Sequence, residues 1–534
     1  MHRSTLIGAA LLCCSPAYAA EPIWSDPELS IQAEYRQDTL DYDDVEKKFC
    51  SEKARLSFGK SSASFTHVYI NATGEHRFTW NLTISGIPPY FDCILGHYYA
   101  NFGAGLLVGR KRALSSDQFS RRLIVSRGSP FLPCSSGNPL YSFHGAAAGF
   151  TVPVGGISLS VRGFVSFRNR FARNDAYAPD STGNSFNSIL GRLQKDFRYS
   201  EPVEINDYGS VVDLRISEHF FLQSYFLYAG IRRAVNRSFL WNYGDGGLPL
   251  GEKAFYCFGF FFQYRDDYIT LFIELGFPNK VLSTPAGMTR SVRDFGILYG
   301  LTFRHRACEL SFAGKNTGNN FYSPYSSGVS HAETACAIGI RIRPLPELCL
   351  GCGFFGEKKI SSAANQSYLP SIIREQVFFK YGAARKGSVS ARLSFVEQEK
   401  KTGIDRYIQI KSSAKIYAKK SVLFSFSGTA QRKGDGRYSG SINAGTSLCM
   451  LRYLTVTLFY SRFFIGRDNP LYTSISPRPN SITPGMLVKA TSHMATCRLT
   501  ARYHDVRISA RYQHQFTGTG SRQYRIEVSA GCIL

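Results

Sequence analysis

Read backwards from its last residues, the chain alternates apolar and polar side chains: Tyr524, Ile526, Val528, Ala530, Cys532 and Leu534 against Arg525, Glu527, Ser529 and Gly531. Successive side chains of a strand point to opposite faces, so this pattern gives one face suited to lipid and one suited to water. The same pattern recurs at Ile508, Ala510 and Tyr512 and at Cys497, Leu499, Ala501 and Tyr503, with only His504-Asp505 between the two runs. That spacing predicts a hairpin. Segments 157–168, 269–277 and 388–395 alternate in the same way. Many runs extend over about 9 to 13 residues, longer than the usual soluble strand and matched to a tilted membrane span.

Short turn candidates punctuate the pattern at Pro153 to Gly156, Ser217 to His219, Arg265 to Asp267, His305-Arg306, Pro344 to Pro346, Lys386-Gly387, Lys419-Lys420, Cys449 to Leu451 and His504-Asp505. Longer polar segments, 169–206, 231–252, 314–330, 357–372 and 466–486, alternate with them. If the last strand ends in the periplasm, all the short turns fall on that side and the long segments lie outside, as in bacterial outer-membrane barrels. About 19 strands are expected from residue 140 onward, and five more near 28–37, 53–59, 63–71, 76–85 and 91–100. The predicted fold is therefore all-β: a transmembrane antiparallel up-and-down barrel of about 24 strands, within a range of 20 to 26.

The first residues place His2 and Arg3 before an apolar stretch from Leu6 to Cys14, followed by Ala17-Tyr18-Ala19. This is the order of a secretory signal peptide with an A-x-A cleavage site, so residues 1–19 are expected to be a leader and 20–534 a single barrel domain in the cell outer membrane. Outer-membrane lipid and, during insertion, the barrel-assembly machinery are the expected partners. Beyond the leader no run of about 18 apolar residues predicts a membrane helix. Mean hydropathy is −0.15, as expected where polar and apolar residues alternate. Aromatic residues make up 14%, with 41 Phe and 31 Tyr.

The formal net charge is +24, or +23 once a leader carrying only Arg3 is removed. On the polar strand face stand Arg162, Arg341, Arg343, Arg392, Arg498, Arg502, Arg507, Arg511 and Arg525. If that face lines a lumen, such arginines favour small anionic solutes. Alternatively they pair with Glu274, Glu527 and loop acids and hold the wall together. The leading function is a porin-like channel or solute transport protein with a basic lumen. The alternative is a non-conducting surface barrel whose basic loops bind a polyanion or host ligand, and a barrel hydrolase ranks last.

No catalytic, cofactor or metal site is expected. His144 lacks a recognisable nucleophile and orienting partner and reads as a lumen or interface residue. Asp266-Asp267 reads as turn chemistry. Gly434-Asp435-Gly436 and Gly244-Asp245-Gly246 lack the repeated carboxylates of a calcium loop. Eleven of the 13 cysteines follow the leader, scattered through strand patterns as small apolar residues. The two in Cys349-Leu-Gly-Cys352 would point to opposite faces of a strand. Gly103-Ala-Gly105 with Gly109 meets neither nucleotide-loop spacing and reads as glycines that permit a bend.

One stretch breaks the regular pattern: Phe102-Gly-Ala-Gly-Leu-Leu-Val-Gly109, then Arg110-Lys111-Arg112, Arg127-Gly128 and Ser142-Phe143-His144-Gly145-Ala146-Ala147. Over roughly residues 95–215 it resembles the barrel part of bacterial outer-membrane proteins that carry helix-hairpin-helix segments ahead of the barrel. In these a G-x-G-L strand leads through a basic loop to a Phe-x-Gly-Ala-Ala strand. The resemblance implies a barrel. The few residues before the first expected strand match no helix-hairpin-helix segment, so no nucleic-acid partner is expected.

Overall fold

A computed structural model describes residues 28–39, 46–58, 61–70, 75–87, 90–109, 129–134, 142–173, 200–231, 251–283, 289–318, 321, 323, 325–326, 333–359, 371–383, 387–400, 403–419, 421–451, 453–465, 471–473, 486–488, 492–503, 506–517 and 522–533. Among them 26 strands form one sheet. Two are short branches: Phe131–Pro133 pairs only with the end of Phe91–Ala100, and Thr289–Arg293 only with the end of Ile269–Ser283. The remaining 24 run up and down, and Glu28–Thr39 pairs antiparallel with Arg522–Ile533, so the ring closes. A closed ring leaves no strand edge unpaired, the condition for crossing a bilayer with strands. Among the described residues no helix is long and apolar enough to cross a membrane.

The five early strands are Glu28–Thr39, Glu46–Phe58, Ser61–Ile70, Glu75–Ile87 and Phe91–Ala100. Nineteen follow from Phe143–Val154 to Arg522–Ile533. The short connections fall where turn residues stand: at Gly155-Gly156, where both glycines have positive φ, and at 216–219, 266–268 and 306–307. Two differ from expectation: the strand Glu333–Leu345 runs through Pro344 and Leu345, and the strand Tyr438–Leu451 runs through Cys449 to Leu451, each with a register shift. The leader 1–19, the basic run 110–112, residues 127–128 and Gly244-Asp245-Gly246 lie outside the described residues.

The two faces of the wall separate by parity. Val377, Leu393 and Ile410 are cross-strand neighbours, 58%, 48% and 48% exposed, and form part of the outer apolar surface. One residue away, Gln376, Ser394, Gln409 and Gln431 form an inner polar row, with Gln409 Nε2 donating to Gln431 Oε1 at 3.2 Å. From Phe143 to Leu345 the inner face is different. Phe143, Phe164, Tyr225, Phe255, Phe261, Phe272 and Leu298 project inward and are buried together. Strands such as Phe220–Ile231 (FFLQSYFLYAGI) and Gly251–Arg265 (GEKAFYCFGFFFQYR) are therefore apolar on both faces, which is why they read as nearly continuous apolar runs.

Candidate functional site: the barrel interior and its inward loop

A barrel of about 24 strands is too wide for wall side chains to fill. Part of the filling comes from residues 101–109. Pairing between Glu75–Ile87 and Phe91–Ala100 stops at Asn81 and Gly96, where Gly96 has φ +89°. Beyond that point Phe131–Pro133 takes over, matching Tyr98 with Pro133 and Ala100 with Phe131. Cys134 N donates to His97 O at 2.9 Å and Asn81 Nδ2 to Cys134 O at 2.8 Å, which seals the fork. The chain then turns into the lumen. Phe102-Gly-Ala-Gly-Leu, which the resemblance to helix-hairpin-helix-associated barrels would make a strand, is a closed loop in which Phe102 N donates to Val108 O at 2.9 Å. The two glycines explain the difference: Gly103 and Gly105 have φ of +55° and +93°, which bend the chain out of any strand.

Phe102, Leu106, Leu107 and Val108 have no exposed surface. Phe102 packs against Tyr225, Phe131 and Phe164, with ring centroids 5.2, 5.8 and 6.1 Å away. Leu107 lies over Gly276, where an added Cβ would come within 2.8 Å of it. On the loop's far side, Tyr325-Ser326 pairs parallel with Val108-Gly109, and the Ser323 hydroxyl donates to Leu107 O.

The loop's polar backbone converges on one wall residue. Glu274 Oε2 accepts from Ala104 N at 2.7 Å and Leu106 N at 3.2 Å, and its Oε1 accepts from the Tyr225 hydroxyl at 2.6 Å. Gly103 N donates to Gln223 Oε1 at 2.5 Å, and Gln223 Nε2 donates to Asp213 Oδ1 at 2.6 Å. Arg162 Nη1 completes the chain by donating to Asp213 Oδ2 at 2.6 Å. A carboxylate surrounded by amide and hydroxyl donors is compensated without a cation. Among the described residues, Glu274 thus has no arginine as ion-pair partner. It latches the loop to the wall. Sequence reading placed Glu274 on the polar face but gave no sign of this partner, because the donors are backbone amides about 170 positions away.

The nine arginines fall into distinct settings. Arg162 is paired with Asp213, and Arg341 donates to Glu309 Oε1 at 3.0 Å while its guanidinium lies 6.0 Å from the Phe378 ring centroid. Glu309 also takes Arg304 at 3.2 Å, and buried Lys315 pairs with buried Glu333. Along the loop-covered wall, then, charge is balanced locally. Elsewhere like charges face each other: Arg392 stands opposite Lys411, Arg502 opposite Arg507, and Arg498 opposite Arg511, whose other cross-strand neighbour is Glu527. Arg343 is exposed two residues before the end of its strand. Arg525 stands opposite Gln513, but its side chain, like that of Glu527, is outside the described set.

Other candidates resolve simply. His144 lies on the wall's outer parity, not in the lumen. Its ring stacks on His97 at 4.3 Å and meets Trp80 edge-on at 6.1 Å. Asp266 closes its turn by accepting from the Tyr264 hydroxyl at 2.7 Å, Tyr268 N at 2.7 Å and Ile269 N at 2.5 Å. Those donors hold its carboxyl below the usual aspartate range, the Tyr264 bond contributing most. Asp435 accepts from Arg437 N at 3.2 Å at its loop tip. Cys349 takes the inner parity of Arg341's partner Gly351 and Cys352 the outer. No cluster of three metal-ligating side chains occurs among the described residues.

No family model matches the chain, and no curated protein matches it. Among solved structures it is similar to a variant of the ferric enterobactin receptor of Pseudomonas aeruginosa, with 7% identity, a TM-score of 0.49, and 95% of this chain and 80% of that one covered. It is also similar to the siderophore receptor PirA of Acinetobacter baumannii (7%, TM-score 0.48, 96% and 81%). A third is the ferric-catecholate import receptor Fiu of E. coli K12 (7%, TM-score 0.43, 95% and 81%).

Proposed function

We propose that the chain is an outer-membrane solute channel, narrowed on one side by loop 101–109 and open to small anions along the other. The observation that carries this reading is the unequal interior. The inner face from Phe143 to Leu345 packs aromatic and aliphatic side chains against the loop and pairs its charged residues locally. From Ser371 to Thr517 it carries Gln376, Ser394, Lys380, Lys411, Lys415, Arg498 and Arg511 on the same parity. Cations on a wall of low dielectric concentrate anions beside it. Outer-membrane lipid surrounds the apolar exterior, and the barrel-assembly machinery would insert it. The resemblance to helix-hairpin-helix-associated barrels adds no partner to this reading.

The test is planar-bilayer recording of the refolded full chain. Conductance with a reversal potential displaced toward the anion value supports a channel. A folded barrel that carries no current, or prefers cations, does not fit.

A further inference from the structure

Resting on the channel reading, we infer that the inner face of the hairpin Ser492–Tyr503/Val506–Thr517 binds small phosphate-type oxyanions at the lumen's turn-side mouth, with Arg502 and Arg507 as its first contacts. These two arginines flank the 504–505 connection and stand directly opposite each other. Both are exposed, and neither side chain has an ion-pair or hydrogen-bond partner among the described residues, while the backbone Arg502 N donates to Tyr453 O at 2.6 Å. Residues directly opposite on one sheet face have Cβ atoms roughly 4.5 to 5.5 Å apart, and like charges there repel. A second pair, Arg498 and Arg511, stands further in; Arg511 also stands opposite Glu527 of the last strand and donates to Gln513 Oε1 at 2.8 Å.

Between the two arginine rungs is a hydroxyl rung, Thr500 opposite Ser509. Arg498 Nε donates to Ser509 Oγ at 3.2 Å, and the Thr500 and Ser509 hydroxyls are 3.3 Å apart. Guanidinium, hydroxyl, guanidinium is a sequence of donors on one face, with no carboxylate among the described side chains of that hairpin. Two planar forks about a side-chain length apart match a tetrahedral oxyanion, which accepts paired N–H bonds, better than a spherical halide. Such an anion would offset the repulsion between Arg502 and Arg507. The ligand comes from the aqueous side, because the hairpin's other parity carries Leu499 and Ile508, both exposed on the outer surface.

The experiment compares the full-length protein with Arg502→Lys/Arg507→Lys and Arg502→Gln/Arg507→Gln in zwitterionic bilayers, with chloride as the current carrier. Inorganic phosphate added on the turn side should block wild-type current saturably. The Lys pair should keep the preference for anions over cations while weakening the block at least about fivefold, since charge remains but the fork is lost. The Gln pair should weaken both. Block that is equal in all three proteins, or that vanishes no further in Gln than in wild type, overturns the site. If the protein carries no current, the channel reading fails and the site is judged alone, by calorimetric titration of phosphate into the folded barrel in detergent. Binding lost in the Gln pair then supports it, and absent or unchanged binding overturns it.

Discussion

Ala104 N donates to Glu274 Oε2 at 2.7 Å across 170 positions of sequence. The bond joins a loop that has left the wall to a strand on the far side of the fork, and with Leu106 N and the Tyr225 hydroxyl it makes one carboxylate the loop's polar anchor. Replacing Glu274 with Ala strands these buried donors, each at about 1 to 3 kcal/mol. The loop should then leave the wall while the ring stays closed. Single-channel conductance should rise and uptake of larger solutes should increase, whereas unchanged conductance would mean that the loop does not narrow the path.

Gly103 gives an independent route to the same state. At φ +55° it lies where an added Cβ would come within 2.6 Å of the Glu274 carboxyl carbon. Gly103→Val should reproduce the Glu274→Ala conductance. Because both changes break one latch, combining them should add little beyond either alone, a test by double-mutant cycle.

The inner and outer parities make opposite predictions for neighbouring residues. Leu393 faces outward and Ser394 inward. Leu393→Arg should destabilise vesicle-refolded protein by about 2 to 4 kcal/mol if it lies near the bilayer midplane, whereas Ser394→Arg should cost much less. Urea titration of both variants in the same vesicles checks the assignment.

Lys315 and Glu333 form an ion pair whose side chains are 1% and 7% exposed. Glu333→Ala should cost about 3 to 5 kcal/mol by leaving a buried ammonium uncompensated, while replacing both residues with Leu should cost far less. Urea titration separates the two outcomes.

The turn at Asp266 supplies a pH test. Its carboxyl is held below the usual aspartate range mainly by the Tyr264 hydroxyl, so its contribution is present above the unfolded value of about 4 and is lost as pH falls through the lower folded one. Amide exchange at Tyr268 and Ile269 should therefore speed up on acidification. Asp266→Ala should show the fast exchange already at neutral pH.

Much of the wall was legible because alternation is a local property. Strands such as Gly387–Lys400 announce both faces in their own residues, and the count of about 24 follows from adding such runs. The inward loop was not legible, since its fate depends on two positive-φ glycines and on donors that meet Glu274 only in the folded ring. The aromatic interior was half visible: segments 220–231 and 254–262 are apolar at nearly every position, which marks strands covered on both faces. Parity placed the nine arginines on one side of the wall. It could not show that Asp213 and Glu309 would neutralise Arg162 and Arg341 while like charges faced each other in the last hairpin.

The most direct measurement is the reversal potential of the refolded protein in a planar bilayer under a tenfold potassium chloride gradient, recorded for wild type and Glu274→Ala. A channel narrowed by its latched loop and lined by a basic arc should give an anion-preferring potential in both, with the larger conductance in the variant. A current that prefers cations, or no current from either folded protein, would contradict it.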